Sequence, residues 1–164
     1  MALAWYGWPT GLLLSYPVRK LLHLSGVVMF MGNLIAGPVW LAFAYFGGDR
    51  KLMVFATRTL AQADIWLTAP GVQLTVWNGI CLAPMYGGAR AQPWLAESLG
   101  LLVLAAILTL ATVLPWQERL VRAAEAQDEA GLKRALTQWA VWGTLIMIPF
   151  SLAAWLMIAK KALF

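Results

Sequence analysis

What this sequence has least of is charge. Of its 164 residues 12% are charged while 62% are hydrophobic; soluble proteins carry roughly twice that share of charge, about 25%. A soluble domain of this length cannot hide so much apolar surface, so lipid must form part of its solvent. Cysteine and histidine are each present once, as Cys81 and His23. A lone cysteine excludes an intramolecular disulfide and any CxxC metal pattern, and Cys81 reads as a small buried hydrophobe. One histidine cannot by itself make a zinc or copper site. Phosphate loops, GxSxG elbows, HExxH helices and paired carboxylates are all missing, which leaves no recognisable catalytic motif. The alternating pattern of a membrane barrel is missing too.

What is there is a set of long apolar runs. Four pass the length test for a hydrocarbon core, which needs about 20 residues. They span about 21–46, 60–86, 94–116 (continuing as a soluble helix to about 126) and 136–158. Backbone groups in lipid must bond internally, so these runs are helices. The expected fold is an all-α membrane protein: a four-transmembrane-helix bundle at 19–164 behind a short interfacial N-terminal segment at 1–18. That segment holds Trp5, Tyr6 and Trp8 and has no basic n-region, so it does not read as a secretory signal. The connections hold turn residues such as Gly47-Gly48 and Gly87-Gly88. The most charged stretch, Gln117 to Arg134, reads as a solvated hairpin extension broken at Gly131.

The net charge of +5 comes from 12 basic and 7 acidic residues lying between or beside the apolar runs. Such placement speaks for topology signals and anionic head groups, not nucleic acid. One membrane side would hold Arg19, Lys20, Arg90, Lys160 and Lys161; the other would hold Arg50, Lys51, Arg58, Arg119, Arg122, Lys133 and Arg134. The positive-inside rule then puts both termini outside a bacterial inner membrane. Tryptophans support two aromatic belts, with Trp5, Trp8, Trp94 and Trp155 on one side and Trp66, Trp116, Trp139 and Trp142 on the other. Trp40 and Trp77 are expected deeper, packed between helices.

Polar and small residues inside the spans fall on helical stripes. His23, Gly26, Phe30, Asn33 and Gly37 share one face of the first helix, with Gly32 beside them. Asp64, Thr68, Gly71, Thr75, Asn78 and Gly79 share one face of the second. Small residues let helices approach closely and polar ones hydrogen-bond across, so these faces are expected to form a seam between the two helices. Asn33 and Asn78 are also candidate ligand contacts within it. Asp64 is expected at the membrane side opposite His23, because the helices are antiparallel. Pro70-Gly71 is the strongest kink candidate.

His23, Gly32-Asn33-Leu34, Ala36-Gly37-Pro38 and Thr68-Ala69-Pro70-Gly71 together resemble a bacterial family of small predicted integral membrane proteins of unknown function, over roughly residues 17–120. More distantly the chain is similar to the HemJ-type protoporphyrinogen oxidases. Leu21-Leu22-His23 matches their first-helix histidine, and Arg58, Leu60, Pro70, Thr75 and Gly79 echo their second helix. Their third helix opens Trp-Leu-His-x-Lys-Leu; here it reads Trp94-Leu95-Ala96-Glu97-Ser98-Leu99. With Ala96 and Ser98 in place of histidine and lysine, the resemblance implies haem or porphyrin binding through His23 and not oxidase activity.

Three functional readings follow. The leading one is a non-catalytic scaffold or accessory subunit, partnered by the bilayer and by another membrane protein or a second copy. A haem- or porphyrin-binding redox protein using His23 is the second, since one strong protein ligand can hold haem. A small-solute or metal transporter with a path along Asn33, Asp64, Thr75 and Asn78 is the third.

Overall fold

The computed structural model describes residues 5–6 and 14–163. Most of the expected interfacial segment, including Trp8, lies outside the described residues. The described chain is helical, with no strand. It contains α1 (Tyr16–Phe46), α2 (Arg50–Ala63), a π-helical turn (Asp64–Thr68), α3 (Ala69–Leu82), a 3-10 turn (Ala83–Tyr86), α4 (Pro93–Leu108), a second π-helical turn (Thr109–Val113), α5 (Leu114–Glu125) and α6 (Glu129–Ala159). The π-turns do not interrupt their helices, so the chain forms four rods: α1, α2–α3, α4–α5 and α6. Rod one packs along α3 and α2, α6 packs along α4 and α5, and α2 meets α5 between the two hairpins.

The rods are longer than the apolar runs. Helix α1 starts at Tyr16 and not at Leu21, α2 at Arg50 and not at Leu60, α6 at Glu129 and not at Leu136. Charge marks where a helix leaves the apolar layer but does not end it; Arg, Lys, Glu, Leu and Ala are all good helix formers. The ends are set by caps. Asp49 Oδ1 accepts from the Lys51 N–H at 2.8 Å, and Asp128 Oδ1 accepts from the Gly131 N–H at 2.9 Å. Gly131 therefore lies inside the first turn of α6 and does not break the hairpin. The break falls just before it, where Gln127 adopts a left-handed φ of 55°.

Three helices are long and apolar enough to cross a membrane: Tyr16–Phe46, Pro93–Glu125 and Glu129–Ala159. The α2–α3 rod, expected as a fourth, is not among them, and it is the rod that carries Asp64, Thr68, Gln73, Thr75 and Asn78. Every rod turns apolar side chains away from the bundle, for example Val28, Trp66, Ile107 and Ile158. Trp40 and Trp77 join them, facing outward and not between helices, whereas Trp94 and Trp139, expected in the belts, are buried. Indole is comfortable against lipid, so nothing forces it inward.

Both π-turns have the same cause. Each ends two residues before a proline: the Ala69 N–H bonds to the Asp64 carbonyl ahead of Pro70, and the Leu114 N–H bonds to the Thr109 carbonyl ahead of Pro115. Proline offers no N–H and its ring clashes with the carbonyl four residues back, so the preceding turn widens by one residue. At Pro70-Gly71, where a kink is expected, the structure has this π-turn.

The α1–α3 seam is a backbone contact. A Cβ built on Gly26 would lie 2.6 Å from the Gly71 carbonyl oxygen, and one on Gly71 would lie 2.8 Å from the Phe30 nitrogen. Further along, a Cβ on Gly37 would meet Leu60 and one on Gly79 would meet the His23 ring. Gly32 does not belong to this seam: it is exposed, with no atom within 4 Å of a built Cβ. It lies two residues from Phe30, on roughly the opposite side of the helix. Gly26→Leu is expected to abolish a monodisperse folded peak in detergent, while Gly32→Leu keeps the wild-type thermal midpoint within a few degrees. Equal behaviour of the two variants in a thermal-shift assay would refute this seam.

Candidate functional site

Asp64 opens the first π-turn and is the centre of a polar network that joins all four rods. Its Oδ1 accepts from Asn33 Nδ2 of α1 at 2.9 Å and from Thr68 Oγ1 at 2.8 Å. The Thr68 hydroxyl in turn accepts from Asn33 Nδ2 at 2.8 Å. Asp64 Oδ2 accepts from Gln117 Nε2 of α5 at 2.7 Å, and Gln117 Oε1 accepts from Trp139 Nε1 of α6 at 3.1 Å. Asn33, Gln117 and Trp139 are all buried. Buried polar groups are tolerable only when paired, and every member of this network is.

No cation neighbours Asp64 among the described residues. Arg58, six residues earlier, pairs instead with Glu125 at 2.7 Å, and the other ion pairs join Arg50 to Glu129 and Arg122 to Glu118. Those three pairs are solvent-exposed, and such pairs contribute little to stability. They mark the charged end of the bundle; Asp64 lies about 9 Å further in, at 1.5 Å of helix per residue.

The network forms the polar wall of a cavity of about 460 Å³. Residues of both π-turns line it, Asp64, Ile65 and Thr68 from one and Thr109 and Val113 from the other. The rest of the wall is mainly apolar, including Leu34, Leu60, Ile146 and Met147. Ile65 and Leu114 line the cavity and are also exposed on the outer surface, so its wall there opens towards lipid. An apolar pocket with a few convergent polar groups is the usual form of a small-molecule site, and π-turns recur at such sites.

The other half of the expected seam lies elsewhere along α1 and α3. His23 Nδ1–H donates to the Thr75 carbonyl at 2.8 Å, and the Thr75 hydroxyl donates to the Gly71 carbonyl at 2.8 Å. In the neutral ring this leaves Nε2 as the lone-pair nitrogen. Arg19 is buried; its Nη1 donates to Asn78 Oδ1 at 3.3 Å and its Nε has no partner among the described residues. His23 does not line this cavity. The candidate residues thus divide into two groups. Asn33, Asp64 and Thr68 converge on the cavity, and His23, Thr75 and Asn78 serve the helix contact near Arg19. Sequence reasoning missed Gln117 and Trp139; the first sits next to Glu118 in a stretch taken as solvated, the second in a presumed belt.

A family described as predicted integral membrane protein (DUF2269) matches residues 17–161, and the chain belongs to it. No curated protein and no solved structure matches. The comparisons do not show the HemJ-type likeness.

Replacing His23 tests its role directly. His23→Ala removes one side chain–backbone hydrogen bond, with an expected cost of about 1 kcal/mol, and is expected to leave the visible absorption spectrum unchanged. A Soret band in the wild type that vanishes in the variant would make His23 a haem ligand instead.

Proposed function

We propose that this member of the DUF2269 family of integral membrane proteins crosses the bilayer four times and is a non-catalytic protein that binds a small, largely apolar amine in the cavity beside Asp64. The observation that carries this reading is the state of the Asp64 carboxylate. A carboxylate offers about four acceptor positions. Three are filled, by Asn33, Thr68 and Gln117. Among the described residues no further hydrogen bond reaches the Asp64 side chain and no cation pairs with it. An ionisable group placed within a membrane bundle marks a functional site by default. An ammonium group on an apolar body would supply both the missing donor and the missing counter-charge, and the surrounding Leu34, Leu60, Ile146 and Met147 suit the body. Entry would be sideways, past Ile65 and Leu114.

The fourth crossing is the α2–α3 rod. Its mean hydropathy is lowered by polar residues that face inward, such as Thr75 and Asn78, while Ile65, Trp66 and Trp77 face outward. A rod with polar groups turned into the bundle and apolar ones turned to lipid suits a span despite its composition. With four crossings, the end bearing Arg50, Arg58, Arg119 and Arg134 faces the cytoplasm of a bacterial inner membrane, and both termini face outward.

Two measurements test the reading. In detergent, 4-phenylbutylamine is expected to raise the thermal midpoint of the wild type and to bind Asp64→Asn at least about tenfold more weakly, a difference of about 1.4 kcal/mol. Butylbenzene, which lacks the amine, is expected to act equally on both. Equal binding of the amine to wild type and Asp64→Asn refutes the counter-charge role. For topology, alkaline phosphatase fused after residue 164 is expected to be active and a fluorescent-protein fusion there dark; the reverse pattern overturns the orientation.

A further inference from the structure

A second concavity lies at the charged end of the bundle, between α5 and α6. It is an open groove of about 580 Å³. Trp116, Arg119 and Arg122 line it from α5, Arg134 from α6, and Asp128 from the turn between them. Three arginines and a single acid thus line it. That acid is already engaged, since Asp128 caps α6 through the Gly131 N–H. Arg122 pairs with Glu118 on its own helix, but Arg119 and Arg134 form no ion pair among the described residues.

The groove is also ordered. The Arg119 guanidinium lies over the Trp116 ring, 4.3 Å from its centroid. Stacking holds the plane of the guanidinium and leaves its N–H edge available for a planar or tetrahedral anion. Trp116 sits where α5 leaves its apolar stretch, and Arg119 lies about one helical turn further out, towards the lipid phosphates.

We propose that this groove binds the phosphate of an anionic glycerophospholipid. The choice of a lipid over a soluble anion rests on what continues from the groove. Arg134, Val141, Leu145 and Ile148 follow steps of seven, four and three along α6, so they share one face. The three apolar members are exposed to the surroundings of the bundle. The face that presents Arg134 to a phosphate therefore runs down into lipid as an apolar stripe, on which acyl chains lie. A free phosphate would use the arginines and ignore the stripe. Basic grooves between membrane helices at this level are suited to anionic head groups.

The test uses the whole protein in mild detergent, with retention of added lipid read by native mass spectrometry. Phosphatidylglycerol, phosphatidylcholine with the same chains, and inorganic phosphate are compared. Wild type is expected to hold phosphatidylglycerol over phosphatidylcholine, and inorganic phosphate is expected not to displace it. Arg119→Gln with Arg134→Gln is expected to weaken phosphatidylglycerol binding about 10- to 30-fold, near 1 kcal/mol for each arginine. Lys160→Gln with Lys161→Gln removes equal charge from the opposite end and is expected to change binding less than about twofold. Arg134→Gln alone, whose side chain makes no hydrogen bond or ion pair among the described residues, gives the same readout if the double variant does not fold. Equal binding of the two lipids overturns the proposal, as does an equal loss in the lysine variant. Full displacement by inorganic phosphate makes the groove a free-anion site and overturns the lipid assignment.

Discussion

A carboxylate inside an apolar bundle constrains everything around it. Asp64 has no cation beside it among the described residues, so its oxygens are met by neutral donors, and the donors from other rods each fix a helix. Asn33 sets the rotation of α1, Gln117 that of α5, and Trp139, through Gln117, that of α6. Apolar packing alone does not select among helix rotations in lipid, because a leucine is as well solvated by tails as by neighbours. The network supplies that selection. Apolar clusters flank it, with Leu41, Leu60, Leu120 and Trp139 towards one end and Phe30, Ala105, Ile146 and Phe150 further in.

Two local devices place the carboxylate. The Gly26–Gly71 contact brings α1 and α3 to backbone distance, which sets how far Asn33 must reach. The π-turn ahead of Pro70 inserts one extra residue and so re-aims Asp64 and Thr68 relative to the rest of the rod. The second π-turn, ahead of Pro115, does the same for the rod that carries Gln117. A cavity remains between these two widened turns because neither closes on the other. Cavity and network are thus products of the same two prolines.

Much of this was legible in the sequence, and what was not has a physical reason. The stripe His23, Gly26, Phe30, Asn33, Gly37 is a helical period, and its members other than half-buried His23 are buried on α1. Its counterpart on the second rod gives Gly71, Thr75 and Asn78 as buried and brings Asp64 and Thr68 to Asn33. Gly32 was misplaced because a residue type says nothing about rotation; only its distance from Phe30 does. The tryptophans show the same ambiguity in both directions: Trp40 and Trp77 face out, Trp94 and Trp139 face in. Gln117 was hidden because a neutral amide next to Glu118 looks solvated until the fold brings Asp64 to it. The helix ends were read short because charge marks the membrane boundary, whereas the caps at Asp49 and Asp128 mark the helix boundary.

The central claim is that the Asp64–Gln117 bond ties the two hairpins together. A double-mutant cycle measures it most directly: Asp64→Ala, Gln117→Ala and both together, by reversible unfolding in mixed micelles. A coupling energy of about 1–2 kcal/mol is expected, the upper part of the range for hydrogen bonds between membrane helices. Additive effects of the two substitutions would contradict the account, for the hairpins would then be held by apolar packing and the exposed ion pairs without help from this bond.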